Sequence, residues 1–444
     1  MERRLLISGL LAIAAFAQIH AAVAQSNSPP FPHLGGYLIA GQVDPGTVAN
    51  IGLLDVLIIS GYEGYSSLAT NVAHAKAANP NMKVTTYVIL NGIQTYSTYA
   101  WEAINAYNWG LRSSYPSGGP ETISGVDLVN YLQSRLSTSA SPGPSGLTVR
   151  QWFAEYFAGK TGPGGLFASN SDGIYIDNFL SSPRTASGSG DWLETGTAVS
   201  NTSDPIPQDF RNAEADVATQ LRTQMGSQYM VWVNSADWYS ASLVQGFSGV
   251  VNGGVFEEAM NLSWSNMMAA YATQMNAMVP FNGGGPYLIF EGMYGGSQPN
   301  NNYQYMRYGL TSCLLDNGYY YWDADGKTVV WFDEYGVNLG AAIAGPNNPT
   351  NGTYSSGGLT VWQKGVYRRD FQNGIALVNP RGNGTQAVTL ETTYKHFSGT
   401  QDPSVNNGQS VTSVTLSDGD GVILLRTTPA QQQPIPDAPA LTVQ

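Results

Sequence analysis

Strand-length apolar runs recur along this chain, most of them finishing on a polar or acidic residue and separated by helical stretches, and this repeat limits its folds more than any other feature. Such runs lie at 36–43 (GYLIAGQV), 53–64 (LLDVLIISGYEG), 83–91 (KVTTYVILN), 173–177 (GIYID), 229–234 (YMVWVN), 249–258 (GVVNGGVFEE), 286–291 (PYLIFE) and 318–323 (GYYYWD). The stretches LATNVAHAKAAN, VDLVNYLQSRL, FRNAEADVATQLRTQM and WSNMMAAYATQMNAM carry apolar residues at helical spacing. Strands alternating with helices predict parallel pairing. Eight units, with no G-x-G-x-x-G loop after the first, predict a (β/α)8 TIM barrel over 35–345 rather than an open doubly wound sheet. The insertions 101–122 and 181–207, rich in Gly, Ser, Pro and aromatics, would follow the third and fourth strands and wall a cleft.

Both flanks differ from the barrel. From about 359 to 427 the runs become short and alternating (LTVWQ, GVYRRDF, GIALVN, QAVTL, GVILLR) with N-G, G-N-G and D-G-D-G turns, which predicts a small antiparallel β-sandwich domain. Residues 428–444 have the Pro/Gln/Ala composition of a disordered tail. At the other end, Arg3-Arg4, an apolar run and Ala22-Val23-Ala24 predict a signal peptide over 1–24, a linker over 25–34 and export to the periplasm or the medium. No later segment reaches the roughly 20 continuous apolar residues of a membrane helix.

Composition narrows the chemistry. A net charge of −12 argues against nucleic acid as a partner, because phosphates need a basic surface. One cysteine, Cys313, precludes an internal disulfide and sits in an apolar run as a buried thiol. Four histidines, His20, His33, His74 and His396, are scattered without ligand spacing, so neither a metal nor another cofactor is expected. A serine nucleophile lacks G-x-S-x-G with a placeable His.

In a barrel, chemistry sits at the C-terminal strand ends. Strand four ends on Asp177-Asn178, strand five on Asn234 with Asp237 beyond, strand six on Glu257-Glu258, strand seven on Glu291, and strand eight on Trp322-Asp323. Any one acid could simply cap a helix or bind a loop amide, but carboxylates from four strand ends match what glycoside hydrolysis requires. Asp177 is the strongest catalytic candidate. Glu257 and Glu258 cannot both face inward, since consecutive strand residues point to opposite sides; Glu258 is preferred, with Glu257 the alternative. Asn178, Glu63, Asn91, Asn234, Asp237, Glu291, Trp322 and Asp323 are candidate substrate ligands, although Asp323-Ala324-Asp325-Gly326 also reads as a turn.

The segments WFDEYGVNLGAAIAGP (331–346) and GVYRRDFQNGIALVNP (365–380), and more loosely DGIYIDN and GGVFEE, resemble hypothetical glycosyl hydrolase family 15. The resemblance implies a TIM barrel related to α-retaining hydrolases and α-1,4-polygalactosaminidase barrels, with an Asp after strand four and a Glu near strand six as the pair. On this chain those roles fall on Asp177 as nucleophile and Glu258 as general acid/base, acting on an α-linked poly- or oligosaccharide.

Overall fold

A computed structural model describes residues 30–40, 43, 50–60, 68–89, 92–94, 98–123, 126–128, 146–160, 170–179, 183–234, 249–282, 284–293, 296–343 and 361–428. The leader, the tail beyond 428, and Glu63, Asn91 and Asp237 lie outside the described residues.

The eight apolar runs form the strands β1 (Gly35–Leu38), β2 (Val56–Ser60), β3 (Lys83–Ile89), β4 (Gly173–Asp177), β5 (Met230–Asn234), β6 (Gly253–Phe256), β7 (Tyr287–Met293) and β8 (Tyr319–Trp322). They pair in chain order and in parallel. A parallel bridge between Leu34 and Tyr320 joins the first strand to the last, with the Tyr320 amide donating to His33 O at 2.9 Å. The chain therefore folds as the expected (β/α)8 barrel.

Each strand sorts its side chains with a period of two. Tyr37, Val56, Ile58, Tyr87, Tyr175, Met230, Trp232, Val255, Tyr287, Ile289, Tyr319 and Tyr321 point inward and pack as one cluster. Their alternates, such as Val88, Ile176, Val233, Phe256, Phe290 and Trp322, point outward into the layer shared with the helices. Those helices are α1 (Leu68–Ala78), α2 (Thr98–Ala106), α3 (Val149–Phe157), α4 (Ile206–Met225), α5 (Trp264–Ala277) and α6 (Tyr303–Cys313). Side-chain caps start several of them: Thr148 and Gln151 form a capping box on α3, and Ser263 and Asn302 cap α5 and α6.

One expected helix is not there as drawn. Val126–Leu128, the start of VDLVNYLQSRL, is a strand between Gly92–Gln94 and Thr122–Ile123 in a three-stranded antiparallel sheet. Cross-strand pairing on both sides overrides the local helical period there.

The C-terminal domain is one five-stranded antiparallel sheet: β9 (Tyr367–Asp370), β10 (Gly374–Asn379), β11 (Gln386–His396), β12 (Ser410–Leu416) and β13 (Asp420–Arg426), in the order β9-β10-β13-β11-β12. The long β11 pairs with β12 through Gln386–Thr389 and again at Tyr394 and Lys395, across a register shift between Thr389 and Tyr394, and pairs with β13 through Tyr394–His396. Ile375, Leu377, Val422 and Leu424 thus share a core with Val388, Leu390, Val414 and Leu416. The sandwich-like core is enclosed by a single curled sheet rather than by two separate ones.

This domain is fastened to the barrel through α6. The buried Arg307 guanidinium donates to Asp420 Oδ1 and Oδ2 at 3.1 and 3.2 Å and to Asp402 Oδ2 at 2.5 Å. The approach is close enough to need a glycine: a Cβ on Gly421 would lie 2.0 Å from Thr311 Oγ1. Because removing one partner leaves buried carboxylates uncompensated, Arg307→Met is expected to destabilise the protein by about 3–5 kcal/mol, read by chemical denaturation.

Candidate active site

The same two-residue period that packs the barrel places the polar residues. One step beyond the inward-facing Tyr175, Trp232, Val255, Ile289 and Tyr321, the next inward positions are Asp177, Asn234, Glu257, Glu291 and Asp323. They converge at the C-terminal mouth over a floor of Tyr37, Tyr87 and Tyr175, whose ring centroids lie 5.6–6.1 Å apart. Burial, followed by the charges of neighbouring groups, holds the Tyr37 and Tyr175 phenols well above their ordinary pKa, so they remain neutral.

Asp177 is half-buried and held by three donors. Its Oδ1 accepts from the Asn178 amide and from Asn234 Nδ2, both at 2.7 Å, and its Oδ2 accepts from the Tyr87 hydroxyl. Asn178 adopts a left-handed backbone, φ 59°, which turns its N–H back onto the preceding carboxylate. Burial raises the Asp177 pKa, and the three hydrogen bonds oppose that rise.

Asn234 also hydrogen-bonds the Glu257 side chain. One amide therefore joins both carboxyl groups. Burial first, and then the negative charge of Asp177, push the Glu257 pKa up to about 7, with Glu258 and Asp323 adding to the rise. Asp177 loses its proton before Glu257, because its charge helps to keep the proton on Glu257. Within the pair, Asp177 is thus the first acid to ionise and Glu257 the one kept protonated toward pH 7.

The geometry favours the other member of the glutamate doublet from the one preferred on sequence. Glu257 continues the inward series from Val255, whereas Glu258 has φ 51°, is exposed, and accepts from Asn261 Nδ2 at 3.1 Å. The chain leaves the sheet at that left-handed residue, so the Glu258 side chain turns away from the mouth.

Two further expectations are revised. Trp322 faces outward, buried against Tyr305 and Phe332 with its Nε1 donating to Asn300 Oδ1 at 2.9 Å, so it cannot touch a sugar in the mouth. Glu291 is fully buried, which rules out direct contact with substrate. Asp323 Oδ1 accepts from the Gly326 amide at 2.7 Å and from the Tyr321 hydroxyl at 3.2 Å, so it at least closes the turn that its sequence allows. Tyr87 was not anticipated; its inward parity on β3, beside the strand carrying Asp177, is the signal that locates it.

The insertions after β3 and β4 are knit to each other. The Asp191 amide donates to Arg112 O at 2.8 Å, and the buried Asp191 carboxylate accepts from the amides of Tyr115, Thr195 and Gly196 at 2.7–2.9 Å. Ser187 Oγ adds a bond to Glu121 Oε2 at 2.8 Å. Among the described residues no group of three His, Cys, Asp or Glu is placed to hold a metal ion, and no helix is long and apolar enough to cross a membrane.

A parallel barrel whose strand ends deliver two carboxyl groups to one mouth is the arrangement of a glycoside hydrolase. The chain belongs to hypothetical glycosyl hydrolase family 15, whose model matches residues 76–375. Among solved structures it is similar to the α-amylase of Geobacillus thermoleovorans complexed with acarbose, at 9% identity over 85% of this chain and 89% of that one, TM-score 0.44. It is also similar to the GH31 dextranase of Flavobacterium johnsoniae complexed with glucose, at 10% identity over 91% of this chain and 52% of that one, TM-score 0.47. No curated protein sequence matches the chain.

The raised pKa of Glu257 has a consequence for stability. Its folded value, about 7, exceeds the unfolded one, so between roughly pH 4.3 and 7 the folded state holds a proton that the unfolded state has lost, and that stabilisation disappears as pH rises through 7. Glu257→Gln removes this contribution. The Tm of the wild type is therefore expected to fall more between pH 5 and pH 8 than that of Glu257→Gln, measured by calorimetry at matched ionic strength.

Proposed function

We propose that the protein is an exported, retaining glycosidase that acts on an α-linked poly- or oligosaccharide, with Asp177 as nucleophile and Glu257 as general acid/base. The observation that carries this reading is the convergence of Asp177 and Glu257 on one mouth as the next inward positions after Tyr175 and Val255, with Asp177 held by three donors. Retention requires roughly 5–5.5 Å between the two carboxyl groups, whereas roughly 6.5–9.5 Å would leave room for an inverting water.

In the first step the Asp177 carboxylate attacks the anomeric carbon while Glu257 gives its proton to the glycosidic oxygen. The C–O bond breaks, the leaving alcohol departs, and the sugar is held as an ester on Asp177. Glu257, now ionised, takes a proton from water as that water attacks the same carbon, and the ester bond breaks to return the Asp177 carboxylate. Each displacement inverts the anomeric carbon, so two in succession, from opposite faces, restore the starting configuration. Asn234 and Tyr87 keep Asp177 oriented, and the neutral tyrosine floor adds no competing charge. The α-linkage rests on the family resemblance, and export rests on the Arg3-Arg4 leader pattern.

A panel of bacterial and plant polysaccharides, read by released reducing sugar, tests the activity. On any substrate found, Asp177→Asn is expected to abolish turnover while retaining binding. Glu257→Gln should lower kcat by about 10²–10⁴-fold, less for activated aryl leaving groups. Glu258→Gly, which suits the left-handed backbone, should stay within about twofold of wild type. Unchanged turnover in Asp177→Asn, or collapse in Glu258→Gly with the fold intact, would reject the assignment. The rate should also fall as pH rises through about 7, when Glu257 loses the proton it must donate.

A further inference from the structure

Glu291 is the buried carboxyl that the reaction above leaves unused. It occupies the inward position after Ile289 on β7, is wholly shielded from solvent, and lies beneath the turn that carries Glu257. Its Oε2 accepts the Glu258 N–H at 3.0 Å. That N–H belongs to the peptide joining Glu257 to Glu258, and Glu258 holds φ 51°, a conformation that needs support from its surroundings in a residue other than glycine. Glu291 Oε1 is buried with no hydrogen-bond partner among the described residues.

The acids acting on Glu291 are Glu257 and, more weakly, Glu258 after β6 and Asp323 just beyond β8; each of them disfavours a second charge. Tyr321, on β8, is neutral, its phenol held well above its ordinary value first by burial and then by Asp323. A fully buried carboxylate with a single amide donor, among acids, is a poor ion, whereas a carboxylic acid fits: one oxygen accepts the amide and the other carries the proton.

We propose that Glu291 is a positioning residue, an uncharged carboxylic acid beneath the mouth that pins the Glu257–Glu258 peptide in its left-handed turn and so aims Glu257 at Asn234 and Asp177. As a neutral group it does this without adding a charge beside the acid/base. The inference rests on Glu257 being the acid/base, but its consequence for Glu257 can be measured without a substrate.

The test is a carboxyl ¹³C NMR titration of protein labelled at the glutamate side-chain carboxyls, with the Glu257 and Glu291 signals assigned by their loss in Glu257→Gln and Glu291→Gln. In the wild type Glu257 is expected to titrate near pH 7 and Glu291 to stay flat from pH 4.5 to 9. Glu291→Gln, which keeps a neutral acceptor, should leave the Glu257 midpoint in place. Glu291→Met, which removes the acceptor, should free the turn and move that midpoint down by about one unit or more toward the ordinary carboxyl range.

A drop of a unit or more in Glu291→Gln would mean that Glu291 is ionised, and would overturn the proposal. An unchanged midpoint in a folded Glu291→Met would reduce Glu291 to packing, and would overturn it too. If Glu291→Met does not fold, the wild-type Glu291 signal decides: titration between pH 4.5 and 9 refutes a neutral acid, and a flat signal with an unmoved midpoint in Glu291→Gln upholds it. Loss of activity without these shifts would count against the catalytic assignment instead.

Discussion

In a closed barrel of parallel strands, the side chain two positions beyond the last packed interior residue has the barrel mouth as its nearest open space. Here that geometric rule operates on five consecutive strands at once. Tyr175, Trp232, Val255, Ile289 and Tyr321 fill the interior, and the residues two steps on are Asp177, Asn234, Glu257, Glu291 and Asp323. The apolar packing that stabilises the barrel and the convergence of its acids are therefore one consequence of strand parity. A shift of one residue in any strand would exchange an inward acid for an outward neighbour.

Convergence alone would leave a repulsive cluster of acids, and two features separate their roles. The number of donors differs: Asp177 receives three hydrogen bonds and is the first to ionise, while Glu257, buried beside it, keeps its proton to about pH 7. The backbone also turns sharply after both acids, at Asn178 and at Glu258, each left-handed. The first turn returns an amide to Asp177 itself, and the second sends an amide down to Glu291. Local strain at the strand ends is thus tied to hydrogen bonds that fix the reacting groups.

Much of the fold was legible in the sequence because its signals are local and repeated. The strand at 173–177 appears with the bounds that its apolar run predicts, and the other seven strands fall within or beside their runs. The helix drawn at VDLVNYLQSRL was misread at its start, since a partner strand distant in sequence determines the pairing of Val126–Leu128. The acids were visible for the same reason as the strands. What sequence spacing could not supply was the phase of each strand end: it favoured Glu258 over Glu257, which Val255, facing inward, reverses, and it kept Trp322 among the ligands although that side chain packs outward. Tyr87 and the shared amide of Asn234 depend on contacts between strands, which no single run encodes.

The central claim is that Asp177, not a member of the glutamate doublet, forms the bond to the sugar. Incubation with a panel of α-configured cyclitol epoxides and aziridines, followed by peptide mass spectrometry, tests it most directly. The account predicts a covalent adduct on Asp177, formed as fast in Glu258→Gln as in the wild type and much more slowly in Glu257→Gln, which cannot protonate the opening ring. An adduct on Glu257 or Glu258, with Asp177 unlabelled, would contradict it.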